Sequence, residues 1–246
     1  MPLLVLGCAS FVAWFISMLA GGGSPLVLIP LINVLLGAAA IAPVITTGML
    51  IGNTQRALFF WKDIDWQVTK WHVPGSVFGA IFGSYVFTQI HPEGLQILIG
   101  IVLLLMVAYY LIRPQKNQFS AQAWQFLPLG CLNAFVSGII GSTGPVMNPL
   151  YLSYGLVKEP MIATKAVNVV VMHMVKLITY LSLGVLTREY LAYGILIGLS
   201  AIPANWLGKL VLQRMSNDHF QQVVFAFVAL SGMLMLWQQR GLWLSW

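Results

Sequence analysis

Apolar runs separated by short polar punctuation recur along the whole chain, and they sort into two groups by length. Eight approach or exceed the roughly 17–25 residues that cross a bilayer. They are Leu3–Ala20, Ile41–Trp61, Trp71–Ile90 and Leu95–Ile112, then Trp124–Ile140, Met161–Leu183, Tyr190–Leu212 and Phe220–Gln238. Two more, Ser24–Leu36 and Pro145–Gly155, are too short. A helix of about 13 residues reaches about 20 Å against a hydrocarbon core of about 30 Å. These short segments are predicted to dip in and return, buried in protein, where irregular backbone is tolerated at membrane depth. The pattern predicts an all-α polytopic membrane protein of about eight transmembrane helices.

A longer period lies over this one. "FISMLAGGGSPLVLIPL", from Phe15, recurs as "FVSGIIGSTGPVMNPL", from Phe135. Phe15 and Phe135, like Pro25 and Pro145, stand 120 residues apart, and Pro30 and Pro149 stand 119 apart. Gly37 and Gly155, Thr46 and Thr164, and Gly83 and Gly208 keep the same order. The chain therefore divides into two repeats, 1–112 and 124–246, joined by a polar linker, 113–123. Each repeat is expected to carry a glycine/proline break and a re-entrant half-helix starting at Pro25 or Pro145. An even number of spans per half makes the repeats parallel, and an odd number makes them inverted.

Composition agrees with the pattern. The chain is 59% hydrophobic and 7% charged, far from the roughly 25% charged residues of a soluble domain. Leu3–Ala20 has no preceding basic residue and no small-x-small site after it, so it reads as the first membrane helix rather than a cleaved signal. The net charge of +6 comes from scattered basic residues near helix ends, which act as topology signals and not as a nucleic-acid surface. With eight spans, Lys62, Lys70, Arg113, Lys116, Arg188 and Arg240 face one side, against Lys158, Lys209 and Arg214. That bias places both termini in the cytoplasm. Trp61, Trp66, Trp71, Trp124, Trp237, Trp243 and Trp246 sit near span ends, as interfacial aromatics do. Cys8 and Cys131 lie in predicted helices and read as small packing residues.

The breaks carry the candidate chemistry. Ser24 is a good N-cap and Pro25 suits the first helical position, and "STGPVMNPL" repeats the design. Glycines let a ligand approach the backbone, and a helix start offers unpaired N–H groups and a positive dipole end. Gly21, Gly22, Gly23 and Ser24 would face Gly141, Ser142, Thr143 and Gly144 across a pocket suited to a small anion. The competing reading is close helix packing, which glycine also serves in membranes. A capped, proline-started break in both halves favours the site.

Charged positions sharpen the sign. Asp63, Asp65, Glu93, Glu159, Glu189 and Asp218 all fall in loops or at span ends, leaving no mid-span carboxylate for a cation path. Arg56, Lys165 and Lys176 lie within spans. Lys165, Asn168, Met172, Lys176 and Thr179 share one helical face, and Thr46, Asn53 and Arg56 share another. Thr46, Thr47 and Thr164 add hydroxyls. Snorkelling to the interface is the alternative for Arg56 and Lys176. His173 is a candidate proton carrier, weighed against a packing histidine; His72, His91 and His219 read as interfacial. The chain has no HExxH pattern, no P-loop and no nucleophile paired with a base, so neither an enzyme, a metal centre, a cofactor nor ATP hydrolysis is expected.

With "GGGSPLVLIPL", "ITTGMLIGN", "KDIDW", "PGSVFGAIFGS" and the second copy in this order, the chain resembles the sulfite exporter TauE/SafE family of membrane permeases over essentially its whole length. "GSTGP" stands where that family usually repeats the glycine-rich motif. The resemblance implies secondary transport of a small sulfur-containing oxyanion or organosulfonate, of the sulfite, sulfoacetate or thiosulfate type, in a bacterial inner membrane. An anion channel and a cysteine-assisted thiosulfate carrier are the alternatives. The expected partners are the anion and the lipid bilayer, with nucleic acid excluded and a homodimer left open.

Overall fold

The computed structural model describes residues 2–89, 101, 104–105, 107–108 and 120–238. The fourth predicted span falls largely outside the described residues, as do Glu93, His91, linker residues 113–119, Arg240, Trp243 and Trp246.

Among the described residues the secondary structure is helical throughout. The α-helices are α1 (Pro2–Leu19), α2 (Pro25–Leu36), α3 (Ala38–Phe59), α4 (Trp66–Phe87), α5 (Phe126–Ile140), α6 (Asn148–Tyr154), α7 (Glu159–Ser182), α8 (Arg188–Arg214) and α9 (Asn217–Gln238). Local chemistry sets several boundaries. The Asp65 carboxylate accepts from the Val68 amide at 3.0 Å to start α4, and the Thr187 hydroxyl accepts from the Tyr190 amide at 3.1 Å to start α8. Both satisfy donors that a bare helix end leaves orphaned.

Among the described residues, four helices are long and apolar enough to cross a membrane: Ala123–Ile140, Glu159–Ser182, Arg188–Arg214 and Asn217–Trp237. Leu3–Leu19 and Pro25–Leu36 are shorter apolar helices, and α3 and α4 have 22 residues each. Phe78, Phe82, Leu132, Ile178 and Leu199 are exposed, while Lys176, Asn148, Asn168 and Asn205 are completely buried. A polar interior inside an apolar exterior suits lipid. This is a multi-pass membrane protein.

The helices interlock. α4 packs on α5 and α7, α8 packs on α1 and α3, and α3 packs on α7. Exchanging α1 with α5, α3 with α7 and α4 with α8 maps this set of pairs onto itself. The closest contact is between α4 and α5. A Cβ on Gly75, Gly79 or Gly83 would come within 2.2, 2.1 or 2.0 Å of the carbonyl oxygens of Leu127, Cys131 and Phe135. Only glycine admits two backbones this close, the small-residue packing that replaces the hydrophobic effect between membrane helices.

Candidate anion site between two helix breaks

Both glycine segments interrupt their helices. After α1, Gly21, Gly22 and Gly23 have φ of 67, 132 and 109°, a run of backbone that side-chain-bearing residues rarely adopt. α2 then starts at Pro25 as expected, but Ser24 makes no capping bond. Its hydroxyl donates instead to Met49 Sδ at 3.5 Å. The second break departs further from expectation. α6 starts at Asn148 and not at Pro145, because residues 144–147 form a turn in which the Asn148 amide donates to Pro145 O at 2.9 Å. Pro149 occupies the first-turn position instead.

The two breaks touch. A Cβ on Gly144 would lie 3.8 Å from Gly23 Cα. Lys165, from α7, reaches into the junction. Its Nζ donates to Gly21 O at 2.8 Å, to Gly144 O at 3.4 Å and to Asn148 Oδ1. An ammonium has three protons, and all three are used. Asn148 Nδ2 in turn donates to Ala20 O at 3.1 Å. The glycines make room for this knot, since a Cβ on Gly22 would sit 2.5 Å from Lys165 Nζ.

The sequence reading expected the breaks to offer backbone N–H groups. Two of these are already partnered, Gly22 N by Ser17 O at 2.7 Å and Gly144 N by Ser142 Oγ at 3.4 Å. What the junction presents to Lys165 is carbonyl oxygen, which places the ammonium between the two breaks without a carboxylate among the described residues.

A cavity opens beside the knot. Its wall includes Gly21, Gly22 and Gly23 from the first break and Ser142, Thr143 and Gly144 from the second. Arg56 and Lys165 bring charge, Asn53, Asn133 and Tyr151 bring polar groups, and His72 and His173 bring imidazoles. Met49, Met147 and Met172 contribute soft apolar surface. No aspartate or glutamate among the described residues lines it. A concave surface with cations and no carboxylate favours an anion.

The family model for Sulfite exporter TauE/SafE matches residues 6–235 of the chain. The chain belongs to the Sulfite exporter TauE/SafE family. Nothing among the curated proteins or the solved structures matches it. Membership of this family of membrane transporters agrees with the multi-pass fold.

Within this TauE/SafE chain, the predicted residues divide. Arg56, Asn53, Lys165 and His173 reach the cavity wall. Arg56 does not snorkel: it is 3% exposed, donating through Nε to Asn205 Oδ1 at 2.8 Å and through a terminal nitrogen to Trp14 O at 3.1 Å. Its guanidinium also lies 4.7 Å from the Trp14 ring centroid. Asn53 Nδ2 donates to Met49 O at 2.8 Å.

Others are occupied elsewhere. Lys176 donates to Ser137 O at 2.9 Å, Ser137 Oγ at 3.2 Å and Gly141 O at 2.6 Å. It therefore binds the end of α5, where a cation complements the dipole. Thr164 Oγ1 accepts from the Asp65 amide at 2.8 Å, and Thr47 Oγ1 donates to Pro43 O at 3.0 Å. Asn168 donates to Tyr151 OH at 2.9 Å. Ser24, Thr46 and Gly141 are buried without lining the cavity, and neither cysteine lines it.

Sequence reasoning missed His72, expected at the interface but 3% exposed on the cavity wall, and it missed Asn148. The signal for Asn148 was present in the repeat. Asn148 precedes Pro149 where Ile29 precedes Pro30, and a polar residue in an apolar slot at membrane depth needs a partner.

Proposed function

We propose that this chain is a secondary transporter of a small sulfur-containing oxyanion or organosulfonate, of the sulfite, sulfoacetate or thiosulfate type, in a bacterial inner membrane. The observation that carries the reading is the cavity wall, which holds Arg56 and Lys165 with no opposing carboxylate among the described residues. A buried cation with no acidic partner is costly, at least ~2.5 kcal/mol for lysine at the bilayer centre. A visiting anion repays that cost.

The substrate binds where the breaks meet, against Gly21–Gly23 and Ser142–Gly144, with Lys165 and Arg56 balancing its charge. The longest of the Lys165 Nζ contacts, 3.4 Å, is to Gly144 O, and the anion takes over that proton first. Because the same ammonium joins both breaks, its release loosens one half from the other. Binding and exposure to the opposite side are thereby coupled, since a ligand shifts only those states it binds differently. The self-mapping pattern of helix pairs supports two repeats and about eight spans, built around a central pair, α3 and α7.

The test is flux in proteoliposomes. Purified protein should accumulate or release labelled sulfite, thiosulfate or sulfoacetate but not a cation such as rubidium. Planar-bilayer recording should give no single-channel currents, because a carrier turns over orders of magnitude more slowly than a channel. Cation flux, or unitary anion currents, would contradict the proposal.

A further inference from the structure

His173, on α7, is completely buried, and neither of its ring nitrogens has a hydrogen-bond partner among the described residues. His72, on α4, is 3% exposed, and its Nδ1 is also without a partner among them. Both side chains line the anion cavity. Buried polar atoms are nearly always partnered, because leaving one unmade forfeits its hydration for nothing. Two such residues facing one space, from helices that pack on each other, mark a surface made for a ligand.

The two imidazoles give the cavity a second chemistry. Lys165 and Arg56 only donate, whereas a neutral imidazole offers one N–H and one lone pair in either tautomer. A fully deprotonated oxyanion can use the N–H but leaves the lone pair unmet. His173 stands eight residues beyond Lys165 on α7, about 12 Å of axial rise, so the two residues meet the cavity at different levels of the helix. Among the described residues, the other charged or titratable groups on the cavity wall or beside His173 are Arg56 on α3, Tyr151 on α6 and Lys165 and Lys176 on α7; none of them is a carboxylate.

We propose that His72 and His173 contact the transported anion and make the site select an anion that carries its own hydrogen-bond donor. The inference rests on the anion-transport reading and specifies the substrate class of that site. A site built to pair a ligand hydroxyl rejects the analogue that lacks it, because its own buried groups are then left unpaired.

The experiment uses the purified full chain in detergent and two ligands of equal charge, hydroxymethanesulfonate and methanesulfonate, with sulfite as reference. Calorimetric titration should show wild type binding the hydroxylated sulfonate at least tenfold more tightly. In His173→Leu the preference should fall below twofold with methanesulfonate affinity retained, and His72→Leu should reduce it independently if the first variant fails to fold. The ligand-free melting temperature of His173→Leu should hold or rise, since an unpartnered polar group is gone. A melting temperature that falls while the preference stays would make His173 a packing residue and overturn the proposal. Wild type that binds sulfite without discriminating the two sulfonates overturns it too, leaving anion transport intact. If wild type binds none of the three, the transport reading itself fails.

Discussion

Asn148 accepts from Lys165 and donates to the carbonyl of Ala20, so one buried amide ties the second helix break to the first. Neither contact is local: Asn148 lies 17 residues from Lys165 and 128 from Ala20. Replacing Asn148 with alanine should destabilise the protein by about 1.5–3 kcal/mol, the worth of a buried bond to a charged group. Asn148→Asp should keep the contact with Lys165 but lose the donor to Ala20 O, and by setting a carboxylate against the ammonium it should abolish anion binding. Thermal melts and calorimetric titration of the two variants distinguish stability from affinity.

Gly22 and Gly37 provide a matched pair. Both have positive φ, 132 and 85°, but a Cβ on Gly22 would meet Lys165 Nζ while one on Gly37 would meet nothing within 4 Å. Alanine at either position strains the backbone by about 1–2 kcal/mol. Only Gly22→Ala should also weaken anion binding, by at least tenfold, because it displaces the ammonium. Equal affinities in the two variants would separate the glycine run from the site.

Lys176 should behave unlike Lys165. Its three donors hold Ser137 and Gly141 at the end of α5, away from the cavity wall. Lys176→Met orphans buried carbonyl acceptors, with an expected loss of about 1–3 kcal/mol in stability. The affinity for sulfite should stay within about threefold of wild type. A loss of binding without a loss of stability would return Lys176 to the site.

The all-helical layout of the described residues was legible because apolar runs bounded by polar or glycine/proline punctuation mark where helices begin and end. Predicted and observed ends differ by a few residues, as for Met161–Leu183 against Glu159–Ser182, where Pro160 favours an earlier start. The breaks at Gly21–Gly23 and Gly141–Gly144 were legible too, since glycine and proline punctuate any apolar run. Roles within the site were not. Helical periodicity put Lys165 and Lys176 on one face, but which acceptors each ammonium meets depends on α5 and α6, brought in by packing that the sequence does not encode locally. His72 was hidden for the same reason. It sits near the start of α4 among interfacial tryptophans, and only contact with α5, where a Cβ on Gly130 would lie 3.0 Å from its ring, reveals its burial.

The α4–α5 contact makes a prediction about assembly rather than binding. Gly79→Ala would drive a methyl to 2.1 Å from Cys131 O, and backbone cannot yield as a flexible side chain can. Overpacking of this kind should cost about 3 kcal/mol or more, seen as a lower melting temperature or loss of monodisperse protein. Cys131→Ser on the neighbouring helix should leave transport unchanged, since neither cysteine reaches the cavity.

The central claim is that the anion binds beside Lys165, between the two breaks. Equilibrium binding of sulfite to purified wild type, Lys165→Ala and Lys158→Ala tests it most directly. Lys158 lies outside the cavity and pairs with Glu159 at 3.7 Å, so its loss should be nearly silent. Lys165→Ala should remain folded and lose binding, and Lys165→Arg should bind poorly because a planar guanidinium does not fit the space that Gly22 leaves for an ammonium. Wild-type affinity in folded Lys165→Ala would contradict the account.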